Sequence, residues 1–156
     1  MIIRVIIADD QKIIRATLRE LLDQQTGMEV IAEAEDGHKA VELARKLTPD
    51  VLIMDIVMPM LNGIEATRQI KADVPDVKII ALSMYEDSQY VKGMLGAGAS
   101  CYLLKRSAFE ELIQAIRAVI AGSKLHEFGV TVTSITTDGA PIKECPAGEK
   151  IYAAGH

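Results

Sequence analysis

Apolar positions along this chain fall into two alternating kinds of run. Five short stretches, residues 3–8, 28–33, 51–55, 77–83 and 100–104, are rich in Ile, Val and Leu and do not alternate strictly with polar residues. A strand wetted on one side alternates, whereas a strand covered on both faces need not, so the pattern predicts a buried parallel sheet. Between these runs the apolar positions recur at three- and four-residue spacing. Ile14, Leu18, Leu21 and Leu22 make one stripe, and Ala40, Val41, Ala44 and Leu47 make another, as helices packed on a sheet require. Punctuation agrees with this alternation. Gly27 is expected to close the first helix, and Asn62-Gly63 to open the third. Ser107 and Glu110 have capping-box spacing ahead of a last helix that buries Leu112, Ile113, Ile116 and Ile120 and ends at Gly122.

Strands alternating with helices imply right-handed crossovers and an α/β architecture, an open, doubly wound parallel sheet of five strands. The flavodoxin-like strand order 2-1-3-4-5 suits that number, and ligands in such sheets bind beyond the carboxyl ends of the strands. Residues 1–122 are therefore read as one domain. From residue 123 to 156 the character changes. Val130 to Thr136 alternates as a strand does, Asp138-Gly139 is a turn signal, and Pro141, Pro146, Gly148 and Gly155 follow. A segment so short and so poor in apolar residues makes no core of its own. It is read as a non-domain tail: an appended hairpin, a disordered stretch, or a foreign or truncated piece.

Composition narrows the function classes. The chain has 156 residues, 49% of them hydrophobic and 25% charged, with net charge −5. Its purely apolar runs, such as Val5 to Ala8 and Ile79 to Leu82, are strand-sized and far below the roughly 20 residues of a membrane span. No cleavable signal pattern opens the chain, so a cytoplasmic location is expected. An acidic chain without a basic cluster is a poor direct ligand for nucleic acid. The two cysteines, Cys101 and Cys145, follow no metal-ligand spacing, and Cys101 lies in an apolar run as a small buried residue does.

The chemistry is concentrated at the strand ends. Asp9-Asp10 follows the first strand, Asp55 ends the third, Ser83 the fourth, and Lys105 stands at the end of the fifth. A parallel sheet brings all of these to one edge. Crowded carboxylates repel one another and are tolerated around a hard cation. Mg²⁺ suits such a place, because it binds through one or two carboxylates and takes phosphate oxygens as further ligands. Taken singly, each residue has an ordinary structural explanation, such as a helix cap, a strand-end hydroxyl or a core aromatic. Those explanations give no reason for the group to converge.

In order and spacing, Ile6-Ile7-Ala8-Asp9-Asp10, Asp55-Ile56-Val57-Met58-Pro59, Asn62-Gly63, Ala81-Leu82-Ser83, Gly98-Ala99 and Tyr102-Leu103-Leu104-Lys105 resemble the receiver domains of bacterial two-component response regulators. The resemblance runs from residue 2 to about 121 and is greatest to regulators of the LuxR type, which carry a helix-turn-helix output domain. It implies a phosphoacceptor, Asp55, acting as nucleophile toward a sensor histidine kinase. It also implies an Mg²⁺ ion held by Asp10, Asp55 and the backbone carbonyl of Val57, with Asp9 acting through water. Lys105 would neutralise phosphoryl charge. Ser83 and Tyr102 would form the switch, Tyr102 turning inward when Ser83 engages the phosphate. The output surface would be the face made by the fourth helix, fifth strand and fifth helix, with Lys92, Met94, Tyr102 and Arg106 on it, serving partners or a homodimer. Val57 and Tyr85 stand where polar groups orient the attacking water in many family members, so slow self-dephosphorylation is expected.

Two other readings compete. One is an adaptor that binds proteins through the same surface without phosphate, for which the acidic cluster, Ser83 and Lys105 would be superfluous. The other is a flavin carrier or enzyme on the same fold. Against it, the turn Asp9-Asp10-Gln11-Lys12 has neither a glycine-rich nor a Ser/Thr-rich phosphate cradle.

Overall fold

The computed structural model describes residues 1–85 and 87–121 in full, together with the backbone of 132–135, 141–144 and 150–151. Five strands and five helices alternate: β1 Ile3–Ala8, α1 Lys12–Asp23, β2 Met28–Ala34, α2 Gly37–Leu47, β3 Val51–Asp55, α3 Gly63–Asp73, β4 Lys78–Ser83, α4 Ser88–Ala97, β5 Cys101–Leu104 and α5 Lys105–Ala121. All neighbouring strands run parallel, in the order β2-β1-β3-β4-β5. The doubly wound, flavodoxin-like order expected from the strand count is therefore the observed one. Three further strands, β6 Val132–Ile135, β7 Pro141–Glu144 and β8 Lys150–Ile151, pair antiparallel in a separate small sheet. The Asp138-Gly139 turn and Gly122 lie outside the described residues, as do Cys145 and the last five residues.

Helices cover both faces of the five-stranded sheet. α1 packs beside α5, while α2, α3 and α4 pack in series. Burial follows from this cover. Every residue of β3 and every residue of β5 is buried, including Leu52, Ile53 and Leu103, which are wholly enclosed. β-Branched side chains on consecutive positions suit a strand with two dry faces. β2, at the sheet edge, keeps Glu29 in solvent and Glu33 half-buried. No helix among the described residues is long and apolar enough to cross a membrane.

Boundaries depart from expectation in two places. α1 ends at Asp23 with Gln24 as its cap, and Gly27 lies further on. Gly27 instead takes φ +88° in the turn that feeds β2, a conformation that glycine adopts at no steric cost. α5 begins at Lys105, so Ser107 is inside its first turn and not ahead of it. β5 passes into α5 with no intervening loop, and Lys105 and Ala108 are both buried in that turn. A capping serine needs extended backbone, which continuous burial on the helical face here denies to Ser107.

The third helix starts as the sequence suggests. Asn62 has extended backbone, and its side chain accepts a hydrogen bond from the Glu65 amide at 2.9 Å. Gly63 then approaches β3 so closely that a Cβ there would stand 2.0 Å from the Asp55 carbonyl oxygen. Only glycine permits that approach, and Gly63 N–H uses it to donate to Ile56 O at 2.7 Å. The loop carrying Asp55 into α3 is pinned at both ends by these two contacts.

Candidate functional site

The strand ends converge as the parallel sheet requires. Asp9 and Asp10 leave β1, Asp55 closes β3, Ser83 closes β4, and Lys105 follows β5. One carboxylate oxygen from each of Asp9, Asp10 and Asp55 lies within 4.8 Å of the other two. Asp9 and Asp55 are buried and Asp10 is exposed, so the cluster forms a pocket open on one side. Lys105, only 8% exposed, reaches into it. Its Nζ lies 2.8 Å from Asp9 Oδ2, 3.3 Å from Asp55 Oδ2 and 3.3 Å from Gln11 Oε1.

Electrostatics explains what such a pocket accepts. Burial, and next the negative charge of Asp9, push the Asp55 carboxyl up to about 6, although Lys105 and the Ile56 amide, 2.8 Å from Asp55 Oδ1, pull the other way. Burial pulls the Lys105 ammonium down. Its bond to Asp9 and the charges of Asp55 and Asp9 more than offset this, so the net direction is up. Three carboxylates against one ammonium leave an excess of negative charge. Hard oxygen donors at this spacing fit a hard divalent cation such as Mg²⁺. The buried carboxylate oxygen Asp9 Oδ2 meets the Lys105 ammonium at 2.8 Å, so this ion pair already offsets part of the charge that a cation would neutralise.

Ser83 and Tyr102 are joined through one residue, Tyr85. Ser83 is buried, and its Oγ accepts from Tyr85 N–H at 2.9 Å. Tyr102 Oη donates to Tyr85 O at 2.8 Å from a fully enclosed ring. Burial pushes the Tyr102 phenol up to about 12, partly countered by its contact with Ser83. Tyr102 is thus already turned inward in this structure, its side chain enclosed and its hydroxyl on Tyr85 O. The Tyr85 ring stacks obliquely on Tyr90, centroids 5.5 Å apart.

Of the four residues expected on the α4-β5-α5 surface, only Lys92 and Arg106 are exposed. Met94 and Tyr102 are wholly buried, Met94 against Thr67 of α3. Helical periodicity puts Met94 on the buried face of α4 with Val91 and Ala97, and Tyr102 is enclosed like every other residue of β5. Val57 lies two residues beyond Asp55 with half its surface exposed, in a loop where Met60 takes φ +70°. His38 is exposed and Cys101 is a buried free thiol.

Residues that the pattern did not single out also shape the site. Gln11 N–H donates to Asp9 Oδ1 at 2.8 Å while its side chain meets Lys105. Arg15, one turn into α1, donates to the Asp9 carbonyl at 2.7 Å and pairs with Glu33 of β2 at 3.1 Å. Arg15 at four residues past Gln11 is a spacing visible in the sequence; its partner in another strand is not.

Comparison with known proteins agrees with this geometry. The response regulator receiver domain family matches residues 5–117. The chain is 44% identical over 120 residues to the transcriptional regulatory protein DegU of Brevibacillus brevis, covering 77% of this chain and 51% of that protein. It is 40% identical over 149 residues to the uncharacterized transcriptional regulatory protein YxjL of Bacillus subtilis, covering 96% of this chain and 68% of that protein. The chain therefore spans about half to two thirds of the length of these relatives. Among solved structures, a LuxR-family two-component response regulator from Aurantimonas superposes with TM-score 0.74 at 38% identity, covering 78% of this chain and 87% of that one.

Proposed function

Because the chain belongs to the response regulator receiver domain family, we propose that it is a phosphorylation-operated switch in which Asp55 accepts a phosphoryl group from a sensor histidine kinase. The observation that carries this reading is the meeting of Asp9, Asp10 and Asp55 within 4.8 Å beside Lys105. In the reaction, a carboxylate oxygen of Asp55 bonds to phosphorus as the bond from phosphorus to the donor imidazole nitrogen breaks. The imidazole leaves and takes up a proton, and Asp55 becomes an acyl phosphate. Lys105 is poised between Asp9 and Asp55, so its ammonium can follow the phosphoryl oxygens as their charge shifts toward Asp55. Asp10, Asp55 and the Val57 backbone carbonyl would hold Mg²⁺, with Asp9 acting through water. When bound, the cation supplies further neutralisation of the phosphoryl charge.

Ser83 would exchange its bond from the Tyr85 amide for one to the phosphoryl group. Because Tyr102 holds the carbonyl of that same residue, such a change would be felt at β5 and along α4 and α5. Exposed Lys92 and Arg106 then mark the surface offered to partners or to a second copy. On the donor side, the apolar side chains of Ile13, Val57, Met60, Met84 and Tyr85 stand exposed on segments leaving the carboxyl ends of the strands. A ring of this kind suits an apolar helical partner docking over Asp55. We read residues 1–122 as the receiver and 123–156 as a tail outside it. We further propose a cytoplasmic protein that makes no direct nucleic-acid contact through this chain, and regulation of transcription by way of partners or a longer whole protein.

Intact mass after incubation with acetyl phosphate and Mg²⁺ tests the reading. One added phosphate, dependent on Mg²⁺ and absent from Asp55→Asn, is the expected result. A folded wild-type chain that gains no mass would overturn it in favour of a phosphate-independent adaptor.

A further inference from the structure

Every polar group of Asp9 is engaged. Its N–H donates to Ala34 O at 3.0 Å, its Oδ1 accepts from Gln11 N–H at 2.8 Å, and its Oδ2 pairs with Lys105 at 2.8 Å. The remaining group, the carbonyl, lies past the last residue of β1 and finds its donor in a side chain, Arg15 Nη1 at 2.7 Å. Arg15 is itself held. Its Nε pairs with Glu33 Oε1 at 3.1 Å, and the other oxygen of Glu33 accepts from Arg19, whose second nitrogen donates to Val30 O at 3.2 Å. Arg15 is also well enclosed, with its side chain 14% exposed. The series runs from the edge strand β2 to the acidic turn: Glu33, Arg15, Asp9 carbonyl.

The carbonyl of Asp9 and the N–H of Asp10 belong to one rigid plane. Fixing the carbonyl therefore restrains the plane that carries the Asp10 N–H and Cα, and with it the point from which the Asp10 side chain leaves the backbone. That matters because Asp10 is the exposed member of the cluster, and repulsion from Asp9 and Asp55 would otherwise swing it into solvent. We infer that Arg15, anchored by Glu33 and Arg19, is a positioning residue that holds the Asp9-Asp10 turn in the geometry a divalent cation requires. The inference rests on the reading of the acidic cluster as the Mg²⁺ site. Residues that orient metal ligands in this indirect way typically change metal affinity by about 10–100-fold when replaced.

Simple charge predicts the opposite sign. Arg15 is a cation near the site, so if it acted only through its field, its removal would strengthen Mg²⁺ binding. Calorimetric titration of the full chain with MgCl₂ separates the two. The wild type, Arg15→Gln, Arg15→Lys, Glu33→Gln and the Arg15→Gln/Glu33→Gln double variant would be compared, with Asp10→Asn as control and thermal melting beside each. The expected result is roughly ten-fold weaker binding in Arg15→Gln and a smaller loss in Glu33→Gln. The double variant should be no worse than Arg15→Gln, because both act through one carbonyl. Arg15→Lys should recover part of the affinity. Unchanged or tighter binding in Arg15→Gln overturns the inference, as does a drop in melting temperature with no drop in affinity. Should Arg15→Gln fail to fold, unchanged affinity in Glu33→Gln overturns it equally. A wild type that binds no Mg²⁺, or an Asp10→Asn variant that binds as well as the wild type, overturns the site reading and this inference together.

Discussion

Replacing Asp55 by Asn should make the metal-free protein more stable at neutral pH. Asp55 is 6% exposed, and its carboxyl is pushed from an ordinary 3.8 up to about 6, chiefly by burial and then by Asp9. A displacement of about two pH units corresponds to about 3 kcal/mol of ground lost by holding the ionised form in the folded state. Relaxation and water entry at an open-sided pocket reduce this, so the expected gain from Asn at pH 7 is about 1–3 kcal/mol. The direction with pH follows from proton counting. Between about pH 4 and pH 6 the folded chain keeps the Asp55 proton that the unfolded chain has lost. Wild-type stability therefore falls as pH rises through that window, and Asn, which does not titrate, removes that contribution. Urea unfolding of both proteins in EDTA, at pH 7 and again near pH 4.5, measures the gap directly. It should be clear at pH 7, equivalent to several degrees in melting temperature, and should shrink toward the lower pH. Adding Mg²⁺ at pH 7 should narrow it by stabilising the wild type alone. If Asp55→Asn is no more stable at pH 7, or the gap is the same at both pH values, burial of a repelled carboxylate is not what governs this site.

Three further outcomes are expected. Val57, half-exposed beside Asp55, has no group to orient an attacking water, so Val57→Asn should shorten the acyl-phosphate lifetime, read as loss of added mass with time; an unchanged lifetime refutes the slow-dephosphorylation reading. Gly96 lies within α4 with open space where an added methyl would stand, whereas a Cβ at Gly93 would meet Ile64 Cδ1 at 2.6 Å. Gly96→Ala should therefore stabilise the chain by about 0.5–1 kcal/mol through helix propensity, while Gly93→Ala should gain less or lose; equal effects in thermal melts would show that packing of α4 on α3 is not what separates them. Tyr102→Phe removes the hydroxyl that donates to Tyr85 O and should cost about 1 kcal/mol in urea unfolding, with a value near zero indicating that water replaces the lost bond.

Where the chain must bury side chains on consecutive positions, sequence and structure agree closely. β1 and β3 begin and end where their apolar runs do, and Asn62 caps α3 by the bond its side chain can make locally. Agreement weakens where a boundary depends on distant packing. Ser107 has the right local chemistry for a cap, yet burial of Lys105 and Ala108 carries the helix past it. Met94 and Tyr102 illustrate the same limit on the face expected to serve output. Residue type alone does not tell which side of α4 or β5 looks outward, and both are enclosed.

The sequence by itself determined the alternation of elements and, through parallel strands, that Asp9, Asp10, Asp55, Ser83 and Lys105 share one edge. Burial periodicity is a local property and can be read locally. Only the tertiary structure decided how the polar groups at that edge are completed. Lys105 meets Gln11 across 94 positions of chain, and Arg15 reaches Glu33 across 18. Such partners are selected by which side chains the packed helices bring within hydrogen-bonding distance, because a buried polar group takes whatever donor packing supplies.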